Sequence, residues 1–316
     1  MKIGMIGTGR IATRFMPETR VVEGIEVSAV YNPHRGSAEK FASANGIRFW
    51  TDDLEMFEKE VEAVYIASPH QTHYEYARKM LESGKHVLCE KPLCLERSQT
   101  EELYALADKN GLILMEAIKT AYCPGFLELT RIAGSGVIGE IKDVEACFTR
   151  LTPKETREFQ DIAYGGSLTE FGSYVLLPVI KLLGTECRDI SFRSFCDGNG
   201  VDWYTKGFLL YDSAMASVKT GLLVKSEGQL LISGTKGYIL AESPWWLTRK
   251  FEVRYEDPNK REVYTFPFEG QGLRYEIEVF KKCIENECKE IMTVTPQESV
   301  TLAGIMEDFL QKRKLV

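Results

Sequence analysis

Residues 2–12 read KIGMIGTGRIA, and this stretch decides the fold of the first part of the chain. Its apolar beginning predicts a buried strand, and GTGRIA follows with no intervening residue. GTGRIA fits G-x-G-x-x-G/A, where Gly7 permits the tight turn, Gly9 permits close backbone approach to a pyrophosphate and Ala12 packs the next helix on the sheet. An ordinary glycine turn between a strand and a helix is the alternative. The residues predicted to bind cofactor phosphates at this helix start are Gly7, Thr8, Gly9, Arg10 and Ile11.

The alternation of strand and helix continues through the first 120 residues. Further apolar runs predict strands at 25–31, 63–67, 86–89 and 112–115, with helical segments between them. Continuous apolar strands that alternate with helices indicate a parallel sheet with helices on both faces. We therefore predict an α/β protein that begins with a Rossmann doubly wound parallel sheet over residues 1–119. Pro17 is expected to kink the first helix or end it early.

Polar residues stand directly after these strands, and the carboxyl ends of parallel strands form the ligand-binding edge of such a sheet. Glu90 and Lys91 are the most unusual of them, because two opposite charges end a buried apolar run. A solvated surface ion pair is the alternative, and such a pair contributes only about 0–1 kcal/mol. The residues predicted to bind the cofactor at this edge are Asn32, Arg35, Ser68, Pro69, His70, His73, Glu90 and Lys91.

The end of the second strand bears on the choice of cofactor. An NAD site normally carries Asp or Glu about 20 residues after the glycines, where it holds the ribose hydroxyls. Tyr31 and Asn32 occupy that place, and His34 and Arg35 follow. We expect NADP(H), with NAD(H) as the alternative, because a cationic side chain suits a 2′-phosphate. If Asn32 only forms a turn and Arg35 is a solvated surface charge, this preference has no basis.

Beyond residue 140 the hydrophobic period changes to two, which predicts strands with one buried face. Such runs occur at 144–149, 186–196, 204–212, 214–224, 228–233, 237–241, 251–256 and 262–266. The predicted helices, at 167–183, 271–287 and 297–313, are too few to cover both faces of so large a sheet. We predict an α+β domain over residues 120–316 with a large open, mainly antiparallel sheet. Its second face is either polar or covered by another subunit, and we expect a homodimer or homotetramer formed through it.

One segment of this second half, GGSLTEFGSY at 165–174, bears on chemistry. Glu170 and Tyr174 stand four residues apart and therefore share one helical face. The alternative is that Tyr174 is an ordinary packing residue and Glu170 a solvated acid. Trp245 and Trp246 are predicted to pack in a loop or against a subunit, with a sugar pocket as the alternative.

Composition excludes several classes of function. The net charge of -7 over 316 residues is spread along the chain, without a basic block for nucleic acid or anionic lipid. The longest apolar stretch, 174–180, is too short to span a membrane, and the N-terminus has no signal-peptide core. Eight cysteines without a C-x-x-C pair are expected to be reduced thiols in a cytoplasmic protein. Only four histidines are present, the last at His86, so no metal site is expected.

Four motifs taken in order along most of the chain, GTGRIA, SPHQTH, CEKP and GGSLTEFGSY, resemble the Gfo/Idh/MocA oxidoreductases, the family of glucose–fructose oxidoreductase and inositol dehydrogenase. The resemblance implies an NAD(P)-binding Rossmann domain followed by an open antiparallel sheet. It also implies oxidation of a secondary hydroxyl, or reduction of the ketone, in sugars, inositols and related diols.

The resemblance also implies roles for four residues. Lys91 corresponds to the family's catalytic lysine, and His73 to a histidine beneath the nicotinamide. Tyr174 stands where the D-x-G-x-H/Y motif ends in its acid/base, in the tyrosine form of glucose–fructose oxidoreductase and dimeric dihydrodiol dehydrogenase. The motif's aspartate is Glu170 in this chain, one methylene longer, which puts in question how the carboxylate would meet the substrate.

The chemistry agrees with these roles. A hydride leaves a carbinol carbon only as the hydroxyl proton departs, so a base must touch that oxygen. Tyrosine, with an ordinary pKa near ~10, needs a nearby cation to act near neutrality, and Lys91 could be that cation. We therefore predict an NAD(P)-dependent oxidoreductase with catalytic Lys91, Tyr174 and Glu170 that acts on a sugar or polyol. The alternatives are a dinucleotide-responsive regulator without turnover and a dehydrogenase of a non-sugar dihydrodiol.

Overall fold

The computed structural model describes residues 1–313 and divides the chain into two compact units. The first unit comprises Met1–Tyr122 and Glu269–Ala303, and the second comprises Cys123–Phe268 and the chain from Gly304 onward. Residues 314–316, which the predicted second domain included, lie outside the described residues.

The first unit contains a six-stranded parallel sheet. Its strands are β1 (Lys2–Ile6), β2 (Glu26–Tyr31), β3 (Phe49–Thr51), β4 (Ala63–Ile66), β5 (His86–Glu90) and β6 (Leu114–Ala117). They lie in the order β3-β2-β1-β4-β5-β6, which confirms the predicted doubly wound parallel sheet. The helices between them are α1 (Arg10–Thr19), α2 (Arg35–Asn45), α3 (Leu54–Glu58), α4 (His73–Glu82) and α5 (Arg97–Lys109).

Several details of this unit differ from the prediction. The edge strand β3 was not predicted, because three residues are too few to show a period. The first helix continues past Pro17 to Thr19 instead of ending early. Pro17 removes the backbone hydrogen bond to the Thr13 carbonyl, but only two helical residues follow it, and the Thr19 hydroxyl donates to the Met16 carbonyl there at 2.8 Å.

The second unit is built on an eight-stranded sheet. Its strands are β7 (Ile141–Thr149), β8 (Asp189–Cys196), β9 (Asp202–Leu210), β10 (Met215–Gly221), β11 (Leu230–Gly234), β12 (Tyr238–Ala241), β13 (Lys250–Arg254) and β14 (Arg261–Thr265). They lie in the order β14-β13-β12-β11-β7-β10-β9-β8, and every neighbouring pair is antiparallel except β7 and β10. The predicted large, mainly antiparallel sheet is confirmed.

The two faces of this sheet differ in burial. Residues in register across the strands form an inner row of buried side chains: Val253, Ile239, Ile232, Val144, Ala216 and Leu209. The adjacent register forms an outer row on the other face: Val263, Glu252, Leu240, Leu231, Glu145, Ser217, Phe208 and Ser191. Val263, Glu145 and Phe208 of the outer row are exposed. The period of two therefore marked the buried face correctly.

The helices of the second half explain the division into units. In chain order they are α6 (Pro124–Gly134), α7 (Arg157–Gln160), α8 (Ser167–Leu183), α9 (Leu273–Glu285) and α10 (Pro296–Arg313). Helix α6 was not predicted. Helix α8 packs on β7, β10 and β9, whereas α9 packs on α1 and on the turn Lys119–Tyr122. The predicted second domain included residues 269–303, but the structure groups these residues with the first unit. No helix within residues 1–313 combines the length and hydropathy needed to cross a membrane.

Candidate active site

The glycine loop after β1 has the geometry of a phosphate site. Gly7 has a φ of 100°, and a Cβ there would lie 2.7 Å from the Ala67 carbonyl oxygen, so only glycine fits. Gly9 is the N-cap of α1, and a Cβ added to it would meet nothing within 4 Å. Gly9 has no side chain to cap this helix start, and the first turn of a helix leaves N–H groups that no intrahelical carbonyl accepts. The loop therefore fits the diphosphate of a dinucleotide.

Asn32 links the end of β2 to this loop. Its side-chain amide donates to the Thr8 hydroxyl at 2.8 Å, and its carbonyl oxygen accepts from the His34 backbone N–H at 2.9 Å. The residue thus makes the turn that the sequence suggested and also fixes Thr8 in the glycine loop.

Arg35, at the start of α2, lies against two residues that the sequence did not single out. Its guanidinium is 5.0 Å from the centre of the Trp50 ring and 3.4 Å from an Asp52 carboxylate oxygen. The Arg35 side chain is 67% exposed, so it remains accessible to an anion. An NAD site would carry an acid at the end of β2, and this chain has none there. Asp52 instead stands directly after the neighbouring strand β3, which is too short to show a hydrophobic period.

The SPHQTH segment is tied down by hydrogen bonds. The Thr72 hydroxyl donates to the Ser68 hydroxyl at 2.7 Å. Pro69 is exposed, whereas the buried His70 ring stands edge-on to the His73 ring, with centroids 5.7 Å apart. Of the predicted cofactor residues in this segment, Ser68 and Pro69 are the more accessible.

His73 is fully buried and joins two loops of the sheet edge. Its Nδ1 is 2.8 Å from the Pro92 carbonyl oxygen and its Nε2 is 3.0 Å from the Ser68 carbonyl oxygen. Carbonyl oxygens only accept, so a neutral ring can donate to one of them and an imidazolium can donate to both. The ring therefore fixes the loop after β4 against the loop that carries Lys91.

Glu90 and Lys91 end β5 in a buried position. They are 7% and 8% exposed, which excludes the solvated surface pair. One Glu90 oxygen accepts from the Tyr65 hydroxyl at 2.5 Å and the other from the Lys91 backbone N–H at 3.3 Å. Burial raises the pKa of Glu90, and the Lys91 charge and the Tyr65 hydroxyl oppose that rise. The Lys91 ammonium therefore has the Glu90 carboxyl group as a counter-charge at the same strand end.

Two of the other carboxyl groups buried in this unit, those of Glu116 and Glu276, have a chemistry that sequence reasoning missed. Glu116, on β6, accepts from the Leu93 N–H at 3.0 Å through Oε1, but Oε2 has no hydrogen-bond partner among residues 1–313. Burial raises the pKa of Glu116 to about 7. Glu276, on α9, is fully buried, and burial raises its pKa well above the ordinary value. Its signal in the sequence is a carboxylate on the apolar stripe that Leu273 and Ile277 define.

In the second unit, helix α8 carries Glu170 and Tyr174. The Glu170 carboxylate is 14% exposed and lies 3.8 Å from the guanidinium groups of both Arg150 and Arg157. It is therefore an ion-paired residue and not the solvated acid of the alternative interpretation. Tyr174 is half-buried, with its ring centroid 5.3 Å from that of Phe148.

An aromatic stack adjoins Tyr174. Phe148 lies parallel to Phe171 at 4.4 Å on centroids and parallel to Trp246 at 3.7 Å. Trp246 is partly exposed, whereas Trp245 is buried and donates through its indole N–H to the Cys147 carbonyl at 2.9 Å. The two tryptophans thus differ: Trp245 packs in the core, and Trp246 presents a flat apolar surface beside the tyrosine.

The start of α8 is fixed by a buried ion pair. Asp202 on β9 accepts from the Leu168 N–H at 3.0 Å and from the Ser167 hydroxyl at 2.7 Å. It also lies 3.1 Å from the Arg313 guanidinium, which donates to the Gly165 carbonyl at 2.6 Å. Gly166, the N-cap, has no side chain to cap the helix, so Asp202 supplies the negative charge that a helix start favours. This pair sets the position of the helix that carries Tyr174.

The chain matches known proteins along its whole length. Residues 1–118 match an oxidoreductase family with an NAD-binding Rossmann fold. The chain is 30% identical to scyllo-inositol 2-dehydrogenase (NADP(+)) IolU of Bacillus subtilis over 326 aligned positions, which cover 100% of this chain and 98% of that protein. It is 27% identical to trans-1,2-dihydrobenzene-1,2-diol dehydrogenase of Xenopus laevis, with 98% of this chain and 97% of that protein covered.

A solved structure shares the fold. The structure of KijD10, a 3-ketoreductase from Actinomadura kijaniata in complex with NADP and TDP-benzene, superposes with a TM-score of 0.82. The match covers 97% of this chain and 96% of that one at 23% identity.

Proposed function

The chain belongs to the Gfo/Idh/MocA oxidoreductase family, and on that premise we propose that it transfers a hydride between NADP(H) and a secondary alcohol or ketone of a sugar, an inositol or a related diol. It is an NAD(P)-dependent oxidoreductase. The observation that carries the proposal is the buried Glu90–Lys91 pair at the carboxyl end of β5. A buried ammonium beside a built-in counter-charge suits proton chemistry at a reacting oxygen.

In the proposed mechanism Lys91 and Tyr174 handle the proton of the substrate hydroxyl. When bound, the nicotinamide supplies the hydride acceptor or donor. In alcohol oxidation the phenolate form of Tyr174, which the Lys91 ammonium favours as a nearby cation, accepts the substrate hydroxyl proton as the hydride leaves the carbinol carbon. Glu90 keeps the ammonium oriented through its own contacts. Glu170, ion-paired with two arginines, holds the rim beside the tyrosine and meets a substrate hydroxyl from that place.

The aromatic stack supports a ring-shaped substrate. Trp246 is partly exposed and stacks on Phe148, which also contacts Tyr174, and such an apolar ring surface suits the apolar face of an inositol or pyranose ring. The same surface suits an aromatic dihydrodiol, which makes that substrate the second candidate. Relatives named for each of these two substrate classes align over nearly the whole chain.

The test is a panel of inositols, sugars and dihydrodiols assayed with both cofactors through the absorbance of the reduced nicotinamide. We expect turnover with at least one cyclic diol or polyol. Lys91→Met and Tyr174→Phe should each lower turnover on the order of 10²–10⁴-fold, and the double variant should lose far less than the product, since the two residues act as a unit. Lys109→Met, at an exposed position on α5, is the matched control. Cofactor binding without turnover of any substrate would instead indicate a dinucleotide-responsive regulator.

For the cofactor we propose a preference for NADP(H). The exposed guanidinium of Arg35 at the start of α2 supports this choice, because it can pair with a 2′-phosphate, whereas Asp52 beside it opposes an anion. Equilibrium titration of NADPH and NADH at one salt concentration should show at least several-fold tighter binding of NADPH. Arg35→Leu should remove that difference. Tighter binding of NADH to the unmodified protein would contradict the proposal.

For assembly we propose a homodimer or homotetramer formed through the outer face of the eight-stranded sheet. Its large hydrophobic residues Phe208, Leu210 and Met215 are 49%, 45% and 60% exposed, and such a group of exposed apolar side chains on one sheet face favours an interaction surface. Light scattering at micromolar concentration should give a multiple of the chain mass, and Phe208→Arg should reduce it. Val21→Arg, at an exposed position in the first unit, is the control. A monomeric mass for the unmodified protein would rule the assembly out.

We also propose that the protein works in the cytoplasm. All eight cysteines, each within the described residues, are free thiols in the structure, which is the state that a reducing compartment maintains.

A further inference from the structure

Glu276 occupies an unusual place for a carboxyl group. It lies on the apolar stripe of α9, flanked by the buried Leu273, Ile277 and Phe280. Its side chain is 0% exposed, and neither carboxyl oxygen has a hydrogen-bond partner among residues 1–313. An ionised carboxylate without water or donors loses its solvation with nothing in return, so a group in this position keeps its proton.

The charges that face Glu276 from the neighbouring elements do not compensate it. Burial is the largest influence on its pKa, and the negative charge of Glu90 on β5 is the next; both raise it. Lys119, on the turn that packs against α9, lowers the pKa, but its ammonium donates to the Gln271 carbonyl at 3.0 Å. Glu18 on α1 raises it further and is itself bound by Arg274 at 3.0 Å. The Lys119 ammonium and the Glu18 carboxylate thus each have a partner other than Glu276.

Tyr122 is another titratable group near Glu276. It stands on the same turn as Lys119, and the presence of Glu276 raises its pKa in addition to burial. A phenol whose pKa is raised stays neutral near pH 7, so it adds no charge to the cluster.

Glu90 differs from Glu276 in its partners. It accepts from the Tyr65 hydroxyl at 2.5 Å and from the Lys91 N–H at 3.3 Å, and the Lys91 ammonium favours its ionised form. When two carboxyl groups repel each other in one buried region, the proton resides on the one with fewer donors. By this comparison Glu90 carries the negative charge and Glu276 carries the proton.

We propose that Glu276 holds a proton in the folded protein and that its neutral carboxyl leaves Glu90 as the ionised partner of Lys91. The inference rests on the proposed function only in giving Lys91 a part in the reaction, because the protonation state of Glu276 can be measured without turnover.

Infrared difference spectroscopy at pH 7 tests the protonation state directly, since a protonated carboxyl has a carbonyl stretch separate from the carboxylate bands. Subtracting the spectrum of Glu276→Gln from that of the unmodified protein should reveal one protonated carboxyl lost in the variant. Glu285→Gln, at an exposed position on the same helix, should reveal none. If Glu276→Gln does not fold, Glu276→Met fills the same space and must lose the same band. A difference spectrum that contains only carboxylate bands would overturn the proposal.

The pH dependence of turnover provides the functional readout. Glutamine mimics a protonated carboxyl, so Glu276→Gln should keep the pH profile of kcat/KM of the unmodified enzyme between pH 6 and 8. If Glu276 were ionised, removing its charge would shift the profile by on the order of one pH unit, and such a shift would overturn the proposal. If no substrate is turned over, the proposed function fails while the infrared result still decides the protonation of Glu276.

Discussion

Replacing Glu116 by glutamine should stabilise the protein increasingly as the pH rises from 5 to 7. Burial raises the pKa of Glu116 from its ordinary value of 4.5 to about 7 in the folded state. The unfolded chain therefore releases the proton at lower pH than the folded chain does. Between these two pKa values the unfolded state gains stability with every pH unit, so the free energy of unfolding falls.

The size of the effect follows from the two pKa values. Each unit of pKa difference corresponds to about 1.4 kcal/mol, so the ionisable carboxyl costs about 3 kcal/mol above pH 7 and almost nothing near pH 4. Glutamine at position 116 does not titrate, and its carbonyl can still accept from the Leu93 N–H. The stability difference between variant and unmodified protein should widen by about 2–3 kcal/mol between pH 5 and 8 and level off above pH 7.

Equilibrium urea unfolding at four pH values measures this difference. Only its change with pH is diagnostic, because packing effects of the substitution are the same at each pH. Glu101→Gln, at an exposed position on α5, should give a difference that does not vary with pH. A pH-independent difference for Glu116→Gln as well would show that the carboxyl titrates alike in both states, and the reasoning from burial would be refuted.

Three further substitutions test other contacts. Asp202→Asn should lower the free energy of unfolding by about 3–5 kcal/mol, because it leaves the Arg313 guanidinium buried without its charge partner. Asp212→Asn, which breaks an exposed ion pair, should change the free energy of unfolding little. Equal effects of the two substitutions in urea unfolding would contradict the difference expected between a buried and an exposed pair. Tyr65→Phe should cost about 1.5–3 kcal/mol in the same assay, since it removes a hydrogen bond to a buried carboxylate. Trp246→Ala should raise KM for a cyclic substrate while cofactor affinity stays unchanged, and an unaltered KM would remove the tryptophan from the substrate surface.

Several features of the site followed from local sequence. The role of Gly7 could be predicted because a positive φ in a strand-to-helix turn requires glycine, whatever surrounds it. The location of Glu90 and Lys91 at the ligand-binding edge could be predicted because the residues that end or follow each strand of a parallel sheet lie at one edge. The buried face of the second sheet was readable from its period of two. In each case the information lies within a few consecutive residues.

Other features required the folded chain. In the sequence Tyr65 is not distinguished from the other residues of its apolar strand. In the sheet the parallel register pairs Tyr65 with Leu88, so its side chain lies on the same face as that of Glu90. Trp50 and Asp52 meet Arg35 only because the short strand β3 joins the edge of the sheet.

The sequence by itself determined the glycine loop, the alternation that makes the first sheet parallel and the strand ends that carry Lys91, because turn conformation and hydrophobic period are local properties. Tertiary structure decided which carboxyl groups are buried and which donors reach them. Asp202 meets a guanidinium 111 positions away, and Glu276 enters the charge balance around Glu90 from a helix that sequence order had assigned to the other domain. Desolvation and hydrogen bonding depend on segments that only folding brings together, so no local pattern encodes them.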